Sequence, residues 1–369
     1  MKNHISTFSN LTLKYFVFAF FMGLIACNLK GQSIKESEYI NVPDVNFEKA
    51  LIKLNIDTVQ DGIILRKNAV DITFLNLSGK AEEEVNKIKD LTGIEAFINL
   101  EKLDCSYNLL TNIDFSNSIN LKELICDNNE IIVLNIEKNI NLHSLECAKN
   151  LLTQLNVGKN IELKVLNFYK NQLKNIDVSK NVALIGLHCM KNQLENLDVN
   201  NNILLTSLDF SSNQITNINI EKNVRLTNLI CDENSLTNLD ISKIDSLHFL
   251  SCNHNQLKNL DSNKNIDLNY LDCSNNQLTS LIVTNSVKLT TSLDCAHNQL
   301  TQLDISKNPL LTDLKCSFNL LNNINVTKNT SLIYFSSTNN QFQTICVNNL
   351  NQVKTTWQKD KTATYKVCP

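Results

Sequence analysis

The residues of this chain best suited to chemistry are its twelve cysteines, and nine of them recur about every 21 residues. A zinc site needs about four ligands that converge on one point, whereas this spacing supplies one thiol per structural repeat. Neighbouring parallel strands also lie about 4.8 Å apart, where the Cβ atoms of a disulfide prefer about 3.8 Å. We therefore interpret the nine cysteines as small buried hydrophobic residues and predict no metal site and no cofactor. They are Cys105, Cys126, Cys147, Cys189, Cys231, Cys252, Cys273, Cys295 and Cys316.

Enzyme signatures are absent from the sequence. It contains no G-x-S-x-G nucleophile motif, no H-E-x-x-H metal motif, no glycine-rich phosphate loop and no C-x-x-C pair. His254 with Asp272, or His188 with Asp209, would approach each other if neighbouring repeats align, but no activated serine or cysteine accompanies either pair. We predict a protein that binds rather than catalyses.

A repeat of 21 residues must position these side chains. It begins at Leu100 and runs twelve times to residue 352, with the consensus L-x-x-L-x-C-x-x-N-x-L-x-x-L-D-V-S-x-N-x-x; only the tenth unit has 22 residues. One unit cannot bury its apolar side alone. About five or six buried side chains at about 1.5–3 kcal/mol each do not offset the ordering of 21 residues at about 1–2 kcal/mol each. The units must therefore stack, with one short strand per unit in a parallel sheet.

The period and the L-x-x-L-x-C-x-x-N core are similar to those of leucine-rich repeats. A cysteine at the sixth position resembles the cysteine ladder of internalin J, a cell-surface adhesion protein of Gram-positive bacteria, and of many leucine-rich-repeat proteins of the Bacteroidetes group. The resemblance implies a solenoid with a parallel β-sheet on its concave face and short turns and irregular return segments on its convex face. It also implies a bacterial surface protein that binds a partner, as an adhesin or receptor does.

Asparagine is the most over-represented residue, with 59 copies against 7 glycines and 3 prolines. Because asparagine tolerates left-handed turns and bonds nearby backbone, we expect it to turn the chain. The ninth position is asparagine in all twelve repeats, which predicts a buried ladder of hydrogen bonds within and between coils. Its members are Asn108, Asn129, Asn150, Asn171, Asn192, Asn213, Asn234, Asn255, Asn276, Asn298, Asn319 and Asn340.

Residues 1–26 predict a signal peptide, because lysines precede an apolar run from Tyr15 to Ala26 that is too short to span a membrane. The run ends in Leu-Ile-Ala-Cys27, which resembles the lipobox of bacterial lipoproteins. We expect export and a lipid anchor at Cys27, on the outer membrane or cell surface, with residues 27–42 as a tether. The alternative is free secretion after cleavage near Gly31. The lipid is the only membrane contact that we predict.

Caps must close both ends of an open stack. Residues 43–99 predict an N-terminal cap that contains one irregular repeat and an amphipathic helix over 44–55. Asp44 is the expected helix N-cap, and Phe47, Leu51 and Leu54 share the apolar face.

The C-terminal cap is predicted at residues 345–369, overlapping the last repeat. Cys346 and Cys368 lie outside the cysteine ladder of an exported chain, and we expect them to form a disulfide with each other.

One loop of the N-terminal cap resembles an EF-hand calcium loop. Asp57 and Asp61 stand at its first and fifth positions and Gly62 at its sixth. Val59 and Asn68 occupy the third and twelfth positions, so two of the usual carboxylates are absent. We expect a tight turn here rather than a calcium site.

Positions two, three, five, seven and eight of each repeat are the variable positions of the concave face in this family. All five histidines and all four tyrosines of the array fall on them. The strand propensity of aromatic residues and a binding surface both account for that bias. The residues that we select as partner-binding are Tyr169, His188, Met190, His248, Phe249, His254 and Tyr270.

Charge narrows the class of partner. The net charge is −3 and the variable positions mix acids with lysines, which disfavours nucleic acid and long polyanions. We expect a protein or a neutral glycan as ligand. The alternative role is a structural spacer of the envelope.

Overall fold

The computed structural model describes residues 38–369, so the predicted signal peptide, Cys27 and most of the tether lie outside the described residues. From Phe74 onward the chain forms a stack of coils in which fourteen strands make one parallel sheet, as the repeat predicted. Successive strands pair residue for residue at the repeat interval, as Leu103 pairs with Leu124 and Leu124 with Leu145. The extra residue of the tenth unit precedes its strand and leaves the register intact, because Tyr270 still pairs with Ser292.

The strands of this main sheet are Phe74–Asn76, Lys102–Asp104, Glu123–Ile125, Ser144–Glu146, Val165–Asn167, Gly186–His188, Ser207–Asp209, Asn228–Ile230, Phe249–Ser251, Tyr270–Asp272, Ser292–Asp294, Asp313–Lys315, Tyr334–Ser336 and Trp357–Gln358. Shorter parallel sheets form where the chain returns across the stack. Their strands are Asn112–Asp114 with Val133–Asn135, Asn259–Asp261 with Ser280–Ile282, and Asn323–Asn325 with Thr344–Val347 and Thr364–Val367. The 3-10 turns are Glu84–Asn86, Ile94–Ala96 and Leu350–Gln352.

The core is a set of columns that run along the stack, one residue per coil. In the coil that begins at Leu268, the side chains of Leu268, Leu271, Cys273 and Leu278 are all fully buried. The nine ladder cysteines are buried and unbonded. Burial raises the pKa of each of these thiols, as at Cys105, so they stay neutral and poorly nucleophilic. The cysteine ladder is therefore a packing feature, as the sequence indicated.

The N-terminal cap contains a helix at Val45–Lys53, which is shorter than the predicted 44–55. Asp44 caps it by accepting hydrogen bonds from the backbone N–H of Asn46 and Phe47 at 2.8 and 3.0 Å. Leu54 was wrongly placed on the apolar face, because the helix has ended there and its side chain is exposed. Asn55 takes the left-handed conformation (φ 58°), which turns the chain so that Ile56 is buried instead.

The cap also extends further toward the N-terminus than predicted. Tyr39–Asn41, which the sequence placed in the tether, pairs antiparallel with Ile63–Leu65, and a second short helix follows at Arg66–Ala69. Within residues 38–369 the structure contains no helix that is long and apolar enough to cross a membrane.

The C-terminal cap closes the stack as one more coil. Trp357 and Gln358 extend the main sheet, and the Trp357 ring packs edge-on against Phe335 at 5.2 Å between centroids. A disulfide joins Cys346 to Cys368, whose Cα atoms lie 5.4 Å apart. It links the last two return strands, so it secures the terminal coil.

Candidate functional site

The eighth position of every repeat adopts the left-handed conformation, with φ between 51° and 57° in all twelve coils. This turn ends each strand of the main sheet and sets the direction of the seventh and eighth side chains. Only three of the twelve residues are asparagine, and lysine, histidine, tyrosine and phenylalanine also occur. Our expectation that asparagine provides the left-handed turns was therefore mostly wrong. Asparagine acts one position later, through its side chain.

The ninth-position asparagines form the predicted ladder. In each coil the Nδ2 group donates to backbone carbonyls of its own and the preceding coil, as Asn129 does to Cys126 and Cys105. Its Oδ1 accepts a buried backbone N–H of the preceding coil, that of Leu110 for Asn129, at 3.0 Å. The strand ends are therefore held by these asparagine side chains. We call the outer side of the main sheet, which carries the variable positions, the sheet face.

Two aromatic residues form the centre of the predicted binding surface. Phe249 and Tyr270 face each other across neighbouring strands, and their rings stack at 4.3 Å between centroids with an angle of 2° between planes. Both are half-buried. The stack explains part of that burial. It also fixes both rings, so that their outer edges form a rigid apolar ridge.

A hydrogen-bonded network lies beside this aromatic pair. Asp232 accepts from the Ser251 hydroxyl at 2.7 Å and from the backbone N–H of Asn253 at 2.9 Å. The Asn253 amide donates to Asp272 at 3.4 Å, and its oxygen bonds the His254 ring at 2.7 Å. Burial raises the pKa of Asp232 to about 6, against the opposing effect of the Ser251 hydroxyl. The polar side chains around the ridge are thus held in place before any partner binds.

Three other predicted residues form a second group nearer the N-terminus, whereas His248 is exposed beside Phe249 and its ring bonds the carbonyl of Ser246 at 2.7 Å. Tyr169, His188 and Met190 are half-buried, and the Lys191 ammonium lies 5.8 Å from the centre of the Tyr169 ring. Three strand spacings separate the strand of His188 from that of Phe249, which is about 14 Å. The predicted residues thus fall into two groups on one face. A ligand that touches both groups must span about 14 Å.

The two groups differ in charge. Lys149, Lys164, Lys170 and Lys191 surround the second group, and none of them forms an ion pair within the described chain. Acids surround the first group, that of Phe249 and Tyr270, where the only cation on the neighbouring strands is Lys315, which pairs with Asp294 at 3.3 Å. The acids are Asp209, Asp232, Glu233, Asp272, Asp294 and Asp313. The basic part of the sheet face therefore lies between the acidic part around Phe249 and an N-terminal part of mixed charge, which carries Asp104 and Glu123 beside Lys102.

Neither histidine–aspartate pair considered from the sequence is hydrogen-bonded. Asp209 lies opposite His188 in register, but its Oδ1 accepts from the backbone N–H and hydroxyl of Ser211 at 3.0 and 2.8 Å. The His254 ring bonds Asn253 rather than Asp272. These histidines are thus surface groups with no carboxylate that orients them.

Two features escaped the sequence analysis. His297 and Phe318, both at the eighth position, stack at 4.1 Å between centroids, so the aromatic surface continues past Tyr270. The phenylalanine at position 318, which is a variable position of the repeat, could have indicated this extension. A second asparagine ladder at the nineteenth position includes Asn160, which donates to carbonyls of the preceding coil. The consensus contained that asparagine, but its burial was not foreseen.

Comparison with solved structures identifies proteins that share this architecture. The functional domain of InlJ from Listeria monocytogenes, which includes a cysteine ladder, is 29% identical over 84% of this chain and 78% of its own, with a TM-score of 0.58. A leucine-rich-repeat protein of Leptospira interrogans is 22% identical over 82% of this chain and 93% of its own, with a TM-score of 0.63. No protein-family model matches the sequence, and no curated protein matches it.

A more distant match is the leucine-rich-repeat ectodomain of the Arabidopsis thaliana receptor kinase GASSHO1/SCHENGEN3, in complex with CASPARIAN STRIP INTEGRITY FACTOR 2. It is 19% identical over 81% of this chain and 42% of its own, with a TM-score of 0.60. These likenesses and the coil geometry define the class: the chain folds as a leucine-rich-repeat solenoid. More particularly, it is of the kind with a cysteine ladder, as in InlJ.

Proposed function

We propose that this chain is a non-enzymatic binding protein that recognises a protein partner on the sheet face, which is concave in leucine-rich repeats. The observation that carries the proposal is the Phe249–Tyr270 ridge, stacked at 4.3 Å and bordered by a fixed polar network. Aromatic residues supply large contact areas in protein interfaces and are enriched at their centres. Because the ridge is already rigid, little conformational entropy remains to be lost on binding.

The geometry favours a protein over a glycan. Sugars stack on the open faces of aromatic rings, whereas Phe249 and Tyr270 use one face each on the other. The neighbouring basic and acidic parts of the sheet face also match an extended protein surface with complementary charges better than a neutral glycan. Complementary charge of this kind raises the association rate and selects the partner.

The test compares two double variants of the full chain in pull-downs from surface extracts. Phe249→Asn with Tyr270→Ser removes the ridge but uses the side chains that Asn228 and Ser292 have in the same row, so the backbone tolerates them. The control, Ile140→Asn with Ile161→Ser, removes side chains that are 54% and 51% exposed at the twentieth position. A glycan array is run with the same three proteins.

A protein retained by the wild type and the control, but lost by the ridge variant, is the expected result. Equal retention by all three would place the binding surface elsewhere, and retention of nothing would favour the spacer role. Glycan-array signals that the ridge variant loses and the control keeps would indicate that the ligand is a glycan rather than a protein.

Export with a lipid anchor at Cys27 is the second part of this proposal. The Leu-Ile-Ala-Cys27 sequence supports it, as does the Cys346–Cys368 disulfide, because disulfides persist mainly in oxidising compartments. Mass spectrometry of the mature N-terminus tests it: an acylated Cys27 is expected, and a free N-terminus near Gln32 would indicate secretion without an anchor. Alkylation of the denatured protein without reductant should label the ladder cysteines and spare Cys346 and Cys368.

A further inference from the structure

Three carboxylates meet in the N-terminal cap, at the loop that resembles an EF-hand. Glu48 lies on the helix Val45–Lys53, and Asp57 and Asp61 lie in the loop that follows it. One carboxylate oxygen from each residue lies within 4.8 Å of the other two. The sequence did not predict this, because Glu48 precedes the loop and replaces a ligand that the loop lacks.

Glu48 is a carboxyl side chain in the interior of the cap. Its side chain is only 2% exposed, and among residues 38–369 it forms no ion pair. Its Oε1 accepts the backbone N–H groups of Asp61 and Gly62 at 2.7 and 2.5 Å, both inside the same cluster. Its hydrogen bonds therefore come entirely from the cluster. Buried charges in proteins are normally paired or bound to a metal ion.

Asp57 supplies a second, independent observation at the same cluster. Its Oδ1 accepts the N–H of Thr58 at 2.7 Å, but its Oδ2 is enclosed and has no hydrogen-bond partner. A buried carboxylate oxygen without a partner costs its full desolvation free energy. Three such negative groups at this separation also repel one another. A cation among them would relieve both costs.

We propose that Glu48, Asp57 and Asp61 bind one calcium ion in the N-terminal cap. Calcium takes six to eight oxygen ligands at about 2.3–2.6 Å, so two oxygens on one ion are separated by at most about 5 Å, as these are. Backbone carbonyls and water supply the remaining ligands. Magnesium requires strict octahedral geometry and retains its water, so it binds this site more weakly.

Bound calcium would fix the cap through three elements at once. Glu48 lies on the helix Val45–Lys53, and Asp57 lies at the start of the loop. Asp61 lies just before the strand Ile63–Leu65, which pairs with Tyr39–Asn41. The backbone N–H of Val42 also donates to the carbonyl of Gly62 at 2.8 Å. The ion therefore stabilises the closure of the first coil, independently of whatever binds to the sheet face.

The experiment is isothermal titration of the full chain, after chelation, with calcium chloride and in parallel with magnesium chloride. One calcium per chain is expected, with a dissociation constant of about 10⁻⁴–10⁻³ M, as in extracellular calcium modules. Asp57→Asn with Asp61→Asn should weaken calcium binding at least about tenfold. The control is Glu83→Gln with Glu84→Gln, which removes the same charge from two exposed residues of the cap.

No saturable calcium heat up to about 10 mM in the wild type would overturn the proposal. Equal affinity in the wild type and the aspartate variant would do the same, as would an equal loss in the control. If the aspartate variant does not fold, hydrogen exchange of the wild-type chain tests the calcium site instead. Calcium, but not magnesium at the same concentration, should slow exchange of the backbone N–H groups of residues 57–63; unchanged exchange would contradict the site.

Discussion

The two asparagine ladders use the same residue type at the same depth, but only one of them satisfies it. In the repeat that begins at Leu142, Asn150 at the ninth position donates to three carbonyls and accepts the N–H of Ile131 at 3.0 Å. Asn160, ten residues later, donates to two carbonyls, and its Oδ1 is buried without a partner. The same oxygen is unpartnered in all eight asparagines of the second ladder.

The difference matches how strictly each position is filled. Asparagine occupies the ninth position in twelve of twelve repeats, whereas other residues replace it at four of the twelve nineteenth positions, namely Ser118, Ile244, Ser286 and Leu350. Near the C-terminus Gln352 continues the second ladder by donating to the carbonyls of Val326 and Asn329. A position whose two polar atoms are both used accepts one residue type only. A position that uses only its donor admits other residues.

Asn150→Ala should have the largest effect on stability. It leaves the buried N–H of Ile131 without its acceptor, and an unsatisfied buried donor costs about 1–3 kcal/mol in addition to the lost hydrogen bonds. We expect the free energy of unfolding to fall by about 3 kcal/mol in urea titrations followed by circular dichroism. A loss below about 1 kcal/mol would show that the first ladder is not the stronger of the two.

Asn160→Ala, in the same repeat, should cost less, about 1–1.5 kcal/mol. Both carbonyls that it leaves keep a second donor, since Ile136 accepts the N–H of Asn139 and Asn139 that of Leu142. The substitution also removes the unpartnered Oδ1. The same urea titration measures it, and a cost equal to that of Asn150→Ala would refute the distinction between the ladders.

Cys252→Ser extends the comparison to a column that has almost no polar bonds. On the sequence alone, a buried hydroxyl here would lack a partner and be costly. Ser337, however, occupies the same position in the last coil and donates to the carbonyl of Gln358 at 3.0 Å. A serine introduced at position 252 would have the equivalent carbonyl of Asp272, which already accepts the Cys252 N–H at 2.8 Å. We therefore expect a loss of about 1 kcal/mol, measured by the same titration with Cys252→Ala as control.

The comparison also explains what could be predicted from the sequence. A column repeats once per coil, so the burial of Leu271 or Cys273 follows from twelve copies of one pattern, and so does the ladder of Asn276. Contacts between variable residues do not repeat. The stacking of Phe249 on Tyr270 depends on two particular neighbours, and the approach of Glu48 to Asp57 depends on an irregular cap. Periodicity carries no information about either.

The smallest predicted effect concerns Asp232 on the sheet face and is a change of the free energy of unfolding with pH. Burial raises the pKa of Asp232 in the folded chain to about 6, above the value of about 3.9 expected when unfolded. Between these values the folded chain holds more protons than the unfolded chain, so the free energy of unfolding falls as pH rises from about 4 to about 6. Because Asp232 is partly exposed, solvent screening reduces this loss to about 1 kcal/mol or less.

Asp232→Asn keeps an acceptor for the Ser251 hydroxyl and the Asn253 N–H but cannot ionise. The variant should therefore melt at a higher temperature than the wild type at pH 7, and the difference should vanish near pH 4, where the wild-type carboxyl is protonated. Asp127, whose pKa burial also raises to about 6, remains in the variant, so part of the pH dependence persists. Asp114→Asn is the control of opposite sign, because hydrogen bonds from Ser116 lower the pKa of Asp114. A variant less stable than the wild type at pH 7 would mean that Asp232 is held as a carboxylate, and that its charge organises the acidic part of the sheet face around Phe249.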